Sequence, residues 1–440
     1  MTRKAYIHTF GCQMNEHDSA RMLEVLAANG YEKAQRFDEA SLILVNTCSV
    51  RHNPENKVYS LLGQLRPLKR RNPDLVIGVA GCVAQQEGAN ILQRERAVDL
   101  VFGPDNYFQL PEMLERVQRG ERVVMTDWLP RDESGRNFIP EEWVEHGHVE
   151  GCKAYVAIMK GCNNFCSFCI VPYVRGREVS RKRDTLLREV RDLVAKGAKE
   201  IMLLGQNVNS YEADGCDFHG LLDAVSVIEG VRRVRFTSPH PKDWTNRLAD
   251  LMAARDTICR HLHLPLQSGA DRILDEMRRR HTIQEYLDKV AYLKRTVPGI
   301  AISTDLIVGF PTETEEDFEA TLETMREVRF SQVYAFMYSP RPGTKAAEMP
   351  DDVPKKMKQE RLQRLLRLYE AINAEEMAKY DGTVQEVLVE SPDPKRRNAM
   401  HGRTECNRPV TVHTLDAEVG DLVPVRITHV RQHSLEGEPV

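Results

Sequence analysis

Three things are missing from this chain of 440 residues. No apolar run approaches the length of a membrane span. The opening, MTRKAYIHTFGC, passes from two basic residues straight into an alternating strand pattern, without the apolar core of a secretory signal. There is also no surplus of positive charge, since 61 Lys and Arg face 65 Asp and Glu for a net −4. That balance gives no global sign of a nucleic-acid binder, so any RNA contact must rest on local patches. The expectation is a soluble cytoplasmic protein with no membrane partner. In a reducing compartment its ten cysteines point to metal ligands, catalytic groups or buried small residues rather than disulfides.

What is present is ordinary globular composition, 41% apolar and 29% charged, spread over a chain too long for one core. Residues 3–119 alternate short apolar runs with amphipathic helices. AYIHTFGC precedes HDSARMLEVLAANG, SLILVNTC precedes PENKVYSLLGQLRPLKRR, and LVIGVAGC precedes QQEGANILQRE. This rhythm predicts a doubly wound parallel sheet, with Pro54 behind an Asn53 N-cap opening one helix. Residues 120–147 lose the rhythm and read as a linker. From 148 to 380 six strand candidates, ending with QVYAFMYS, alternate with helical segments, which predicts a partial (β/α)6 barrel. Residues 381–440 change to short strands and read as a small all-β barrel, set apart from the rest.

The cysteines fall into two trios. Cys12, Cys48 and Cys82 each end an apolar strand, one strand–helix unit apart. In a parallel sheet the carboxyl ends lie along one edge, so three distant thiols would meet in one crevice. The bland alternative is three small buried residues. Cys162, Cys166 and Cys169 instead crowd into CNNFCSFC. A zinc knuckle would need a fourth ligand, Cys152 or His148, and neither lies within the loop. A four-iron cluster held by three cysteines keeps one iron open for a reactant.

C-x-x-x-C-x-x-C with Phe168 before its last cysteine, opening a series of β/α units, resembles the radical S-adenosylmethionine (SAM) superfamily. TFGCQMNEHDSARM, VNTCSVR, AGCVAQ, GCNNFCSFCIVPYVRGREVSR, LLGQNVNSY, HLPLQSGAD, DLIVGFPTETEEDF and GRTECNRPV together resemble the methylthiotransferases, in particular the branch acting on N6-isopentenyladenosine in tRNA. The resemblance spans about residues 4–434. It implies two [4Fe–4S] clusters, with Cys162, Cys166 and Cys169 holding the SAM-cleaving one and Cys12, Cys48 and Cys82 an auxiliary one that handles sulfur. Phe168, Gln206, Ile307 and Gly309 would contact SAM, which serves as both methyl and radical source. Residues 381–440 would be an RNA-binding barrel of the TRAM kind. The implied reaction places a methylthio group on carbon 2 of the isopentenylated adenine next to the anticodon, at position 37. The implied partners are that tRNA, an electron donor of flavodoxin or ferredoxin type, and a sulfur or cluster donor; the chain is expected to be a monomer.

Some features fit less simply. LLGQN stands where many radical SAM enzymes carry Gly-Gly-Glu, and residues 381–440 hold seven Lys and Arg against ten Asp and Glu. The basic stretch RGREVSRKRDTLLREVR and the RRRH at 278–281 offer phosphate contacts or merely solvated faces. His261 and His263 alternate on one strand face, as packing or hydrogen-bonding groups. Cys152, Cys216, Cys259 and Cys406 are expected to ligate nothing. The competing readings are methylthiolation of threonylcarbamoyl-adenosine or of a ribosomal-protein aspartate, and a non-catalytic Fe–S or zinc RNA-binding protein.

Overall fold

The computed structural model describes residues 3–49, 54–128, 147–414 and 416–440. The Asn53 cap and most of the expected linker lie outside them. Contacts divide the chain into two compact units. One comprises residues 1–148, 159–165 and 169–182; the other comprises residues 149–158, 166–168 and 183–440.

The first unit is built on six parallel strands: β1 (Arg3–Thr9), β2 (Tyr31–Lys33), β3 (Leu42–Thr47), β4 (Val76–Gly81), β5 (Leu100–Phe102) and β6 (Val123–Met125). Their order, β2-β1-β3-β4-β5-β6, reverses direction between β1 and β3, which is the switch point of a doubly wound sheet. Alternation along β3 feeds two cores. Ile43 and Val45 pack with Val58, Leu61, Leu62 and Leu65 of the helix Pro54–Arg71. Leu42 and Leu44 pack with Met22, Val25 and Leu26 of the helix Gln13–Ala28. Both sheet faces are therefore covered, as fully buried β3 requires.

A two-residue pairing of β8 (Met159–Lys160) with β9 (Val179–Ser180) belongs to the same unit. The second unit starts with β7 (Lys153–Ala157). β10 (Glu200–Leu204) joins β7 and β13 (Arg233–Phe236) in a parallel sheet, after which β11 (Glu212–Ala213) and β12 (Cys216–Asp217) form a minor hairpin. β14 (His261–His263), β15 (Ala301–Val308) and β16 (Gln332–Met337) form a second parallel sheet. Val234 bridges in parallel to Ile258, just ahead of β14, and links the two sets of three. These six parallel strands are the partial barrel read from the sequence.

Strands β17 (Val384–Pro392), β18 (Met400–Thr404), β19 (Pro409–Val412), β20 (Leu422–Val430) and β21 (Leu435–Pro439) close a barrel in the order β17-β18-β19-β21-β20. This tail is less detached than its sequence suggests. Arg233 and Arg235, both buried on β13, donate to the carbonyl oxygens of Arg403, Glu386, Glu405 and Thr404 at 2.7–2.9 Å. Met377, from the helix Lys355–Ala378, sits in the tail's apolar core beside Val387 and Val425. No helix among the described residues is long and apolar enough to cross a membrane.

Candidate active site

Sheet geometry delivers the first trio. Cys12 follows β1 and is the N-cap of the helix Gln13–Ala28, Cys48 follows β3, and Cys82 opens the helix Cys82–Glu87 after β4. Strands β1, β3 and β4 are adjacent, so the three thiols converge, and Cys48 lies within hydrogen-bonding reach of both others. The glycines before two of them explain how so close an approach is possible. Gly11 has φ +144°, and a Cβ there would lie 2.6 Å from the Cys48 Cβ. Gly81 has φ +87°, and a Cβ would lie 2.3 Å from Asn46 Oδ1. Asn46 in turn donates to the Asn15 carbonyl oxygen at 2.8 Å and to Ser19 Oγ at 2.9 Å, tying β3 to the helix behind Cys12.

The electrostatics favour thiolate. Cys48 keeps its proton, because its neighbours accept from it and burial opposes its ionisation. The hydrogen bond from Cys48 pulls Cys12 down to about 6 and Cys82 to about 7, against burial and with help from the Arg175 charge. Arg175 Nε donates to Cys82 Sγ at 3.4 Å, while Nη2 pairs with the buried Asp18 carboxylate at 2.7 Å. Arg175 belongs to the first unit, through the segment directly after Cys169. Ile170 and Val174 of that segment pack against Cys82 in one buried cluster.

Cys162 and Cys169 also lie in the first unit, and Cys166 between them lies in the second. The Cys162 backbone N–H donates to the Gly176 carbonyl at 3.1 Å. Gly161 permits this turn, for a Cβ there would lie 2.1 Å from the Arg177 carbonyl oxygen. In the second unit, Cys166 Sγ lies 3.6 Å from Arg279 Nη1 and 3.9 Å from His240 Nε2. His240 is held neutral by burial and by the Arg279 charge. Its backbone N–H donates to Asn207 Oδ1 at 3.2 Å and to Asn209 Oδ1 at 2.8 Å, which gives LLGQNVNS a structural job.

Phe168 and Ile307 pack against one apolar cluster that includes Met277, Phe310 and Tyr338. Gly309 follows at the end of β15 with φ +68°, and its N–H donates to the Glu313 carboxylate. Burial pushes Glu313 up to about 7, although Arg361 pairs with it at 2.8 Å. Gln206 is half-buried just past β10, in the other three-stranded sheet. His263 spans Ser303 Oγ at 2.9 Å and Asp305 Oδ2 at 3.4 Å, with His261 at 3.3 Å from the same Ser303 hydroxyl. Cys152, Cys216 and Cys406 each donate to a backbone carbonyl, and burial pushes the Cys259 thiol up to about 12. Among the described residues, no three His, Cys, Asp or Glu side chains stand as the ligands of a metal ion.

The basic stretches need correction. Arg175, Arg181 and Arg279 are buried, so they do not offer phosphate contacts, while Arg177, Arg188 and Arg191 are exposed. Arg175, Asp18, Arg279 and His240 were missed as site residues. Clustered arginines around a cysteine motif were a signal, but one that solvated helix faces also produce.

Residues 4–103 match the uncharacterized protein family UPF0004, residues 156–325 the Radical SAM superfamily, and residues 378–440 the TRAM domain. A tRNA-2-methylthio-N(6)-dimethylallyladenosine synthase of Pelotomaculum thermopropionicum is 45% identical over 440 residues, covering 99% of this chain and 97% of that protein. One of the same name from Burkholderia thailandensis is 44% identical and covers 100% and 98%. This chain belongs to that family of radical SAM enzymes.

Among solved structures, TsrM, a radical S-adenosylmethionine methyltransferase from Kitasatospora setae, is similar in fold. It has a TM-score of 0.54 at 14% identity and covers 79% of this chain and 74% of that one, a likeness of fold alone. Radical SAM membership brings a [4Fe–4S] cluster and SAM with it. The sheet thiols are a soft donor set of the kind suited to Fe–S clusters, with Cys12 and Cys82 biased toward thiolate, and in the compact trio the Arg279 guanidinium lies 3.6 Å from Cys166 Sγ.

Proposed function

We propose that this chain converts N6-isopentenyladenosine at position 37 of tRNA to its 2-methylthio derivative, with two [4Fe–4S] clusters and SAM as methyl and radical source. In this reading Cys162, Cys166 and Cys169 hold the cluster whose electron cleaves SAM, and Cys12, Cys48 and Cys82 hold the auxiliary cluster. Phe168, Gln206, Ile307 and Gly309 contact SAM. The functional division runs 3–119, 120–147, 148–380 and 381–440. The enzyme works in the cytoplasm as a monomer, takes electrons from a flavodoxin- or ferredoxin-type donor, and receives sulfur or cluster from a further protein.

The observation that carries the two-cluster reading is the packing of Ile170, Val174 and Arg175 on Cys82. The segment that follows Cys169 thereby contacts Cys82 of the sheet trio. Arg175 offsets thiolate charge there and is itself fixed by Asp18. Near Cys166, Arg279 supplies a second guanidinium and His240 a neutral imidazole. Nucleoside mass spectrometry of bulk tRNA tests the assignment. Cells without the protein should accumulate isopentenyladenosine lacking its methylthio group. An unchanged nucleoside pattern, with a methylthio mark lost from ribosomal protein, would reject it.

A further inference from the structure

Residues 381–440 carry more acids than bases, so their net field repels RNA. Lys395, Arg396 and Arg397 make one exposed basic run within them, and a second concentration of positive charge lies where they meet the preceding helix. A cavity of about 220 Å³ opens where the end of the helix Lys355–Ala378 meets the start of β15 and the closed barrel. Lys294, Arg329, Lys379 and Arg408 line it, together with Tyr380 and Glu376. Arg329 is shared between Glu375 and Glu376, and Lys379 also pairs with Glu376, each at 2.5 Å. Four cations and one carboxylate, Glu376, thus line the cavity, and Glu375 holds Arg329 from outside the lining. Arg408 is only 6% exposed; one of its nitrogens donates to Asn373 Oδ1 at 3.2 Å and its Nε has no partner. A buried donor without an acceptor is costly, and an anion in the cavity would satisfy it. Lys294 and Lys379 are exposed at the rim, the first donating to the Val328 carbonyl oxygen at 2.6 Å and the second held by Glu376.

We propose that this cavity binds a phosphate of the tRNA backbone, an inference that rests on the tRNA-modifying reading above. The shared chemistry is a phosphoryl anion, and size argues against a free nucleotide. Pockets that enclose small ligands run to about 300–1,000 Å³, and this one is smaller. A backbone phosphate needs only the anionic group inside, with the rest of its chain outside. The cavity gives the acidic C-terminal region a local means of holding RNA. It fixes position without reading bases.

The test uses full-length, cluster-reconstituted protein with two variants, Lys294→Gln/Lys379→Gln at the rim and Arg408→Gln inside. Binding of tRNA is measured by anisotropy across a salt series. Each variant should bind about fivefold more weakly, and the slope of log K against log salt should flatten by about 1. SAM cleavage without tRNA should be unchanged in the rim variant, which shows an intact core. Wild-type affinity and slope in the rim variant would overturn the proposal, whether or not Arg408→Gln folds. Inorganic phosphate serves as the second probe. Loss of phosphate binding with unaltered tRNA binding would also overturn it, in favour of a small-anion site. Wild-type enzyme that binds tRNA but leaves isopentenyladenosine unmodified would reject the activity and not the cavity, which the salt slopes decide separately.

Discussion

The two cysteine trios gather three thiols each by opposite routes. Cys162, Cys166 and Cys169 stand within eight residues of one loop, so chain connectivity alone keeps them near each other. Cys12, Cys48 and Cys82 are brought together by three adjacent parallel strands, with 70 positions between first and last. The loop trio depends on a turn that Gly161 permits. The sheet trio depends on β1, β3 and β4 staying in register, on Gly11 and Gly81 allowing close approach, and on a buried Asp18–Arg175 pair. A local motif tolerates change in its surroundings, whereas a tertiary one inherits every weakness of its scaffold.

The largest effect should come from separating their roles. Replacing Cys162, Cys166 and Cys169 by Ala should abolish reductive SAM cleavage altogether. Replacing Cys12, Cys48 and Cys82 should leave 5′-deoxyadenosine formation intact and remove the methylthio product. Cleavage supported by the sheet trio alone would reverse the assignment. Iron counts come next: anaerobic protein should hold about eight iron atoms per chain, halved in either triple variant. Stoichiometric zinc in their place would dismiss the cluster reading.

Scaffold dependence can then be measured. Arg175→Met leaves buried Asp18 with only the His17 imidazole, 3.6 Å away, and should cost about 3–5 kcal/mol in urea unfolding. Adding Asp18→Asn should recover most of that loss, and no recovery would mean that the pair is not what holds the segment. The smallest effect separates single hydrogen bonds. Ser19→Ala removes one of the two acceptors of buried Asn46, together with the Thr9 hydroxyl's partner, and should cost about 1 kcal/mol. Asn163→Ala, beside Cys162, loses only the exposed bonds its side chain donates to the Glu178 carboxylate and accepts from the Glu178 N–H, and should stay within about 0.5 kcal/mol. Equal losses would erase the contrast between the trios.

The legible parts were those written in local pattern. Apolar runs at strand spacing marked β1, β3, β4 and the six barrel strands, and cysteines at strand ends followed from parallel topology. The CNNFCSFC loop and the motifs around it carried the family. What escaped was tertiary pairing of polar groups. Arg175 looks like part of a solvated basic stretch until Asp18, 157 positions earlier in the sequence, is seen against it. Arg233 and Arg235 read as ordinary strand residues, yet they anchor the closed barrel through its carbonyls. A chain cut near Tyr380 would strand the Arg233 guanidinium and leave Arg235 with Glu200 alone, so the tail is no simple detachable module. His240 and Arg279 escaped for the same reason, because nothing periodic announces a contact across 74 or 113 positions.

The Cys82–Arg175 contact also sets an order in time. All three sheet thiols have been synthesised by position 82, but the guanidinium that offsets their charge comes 93 positions later. At about 5–20 residues per second, translation leaves an interval of roughly 5–20 s in which the sheet can form without its cation. During that interval the nascent chain presents three clustered thiols to any oxidant or stray metal ion, and Asp18 has only the neighbouring His17 imidazole to bury against. A chaperone or cluster-delivery protein acting before residue 175 emerges would meet a different binding surface from the one in the finished enzyme.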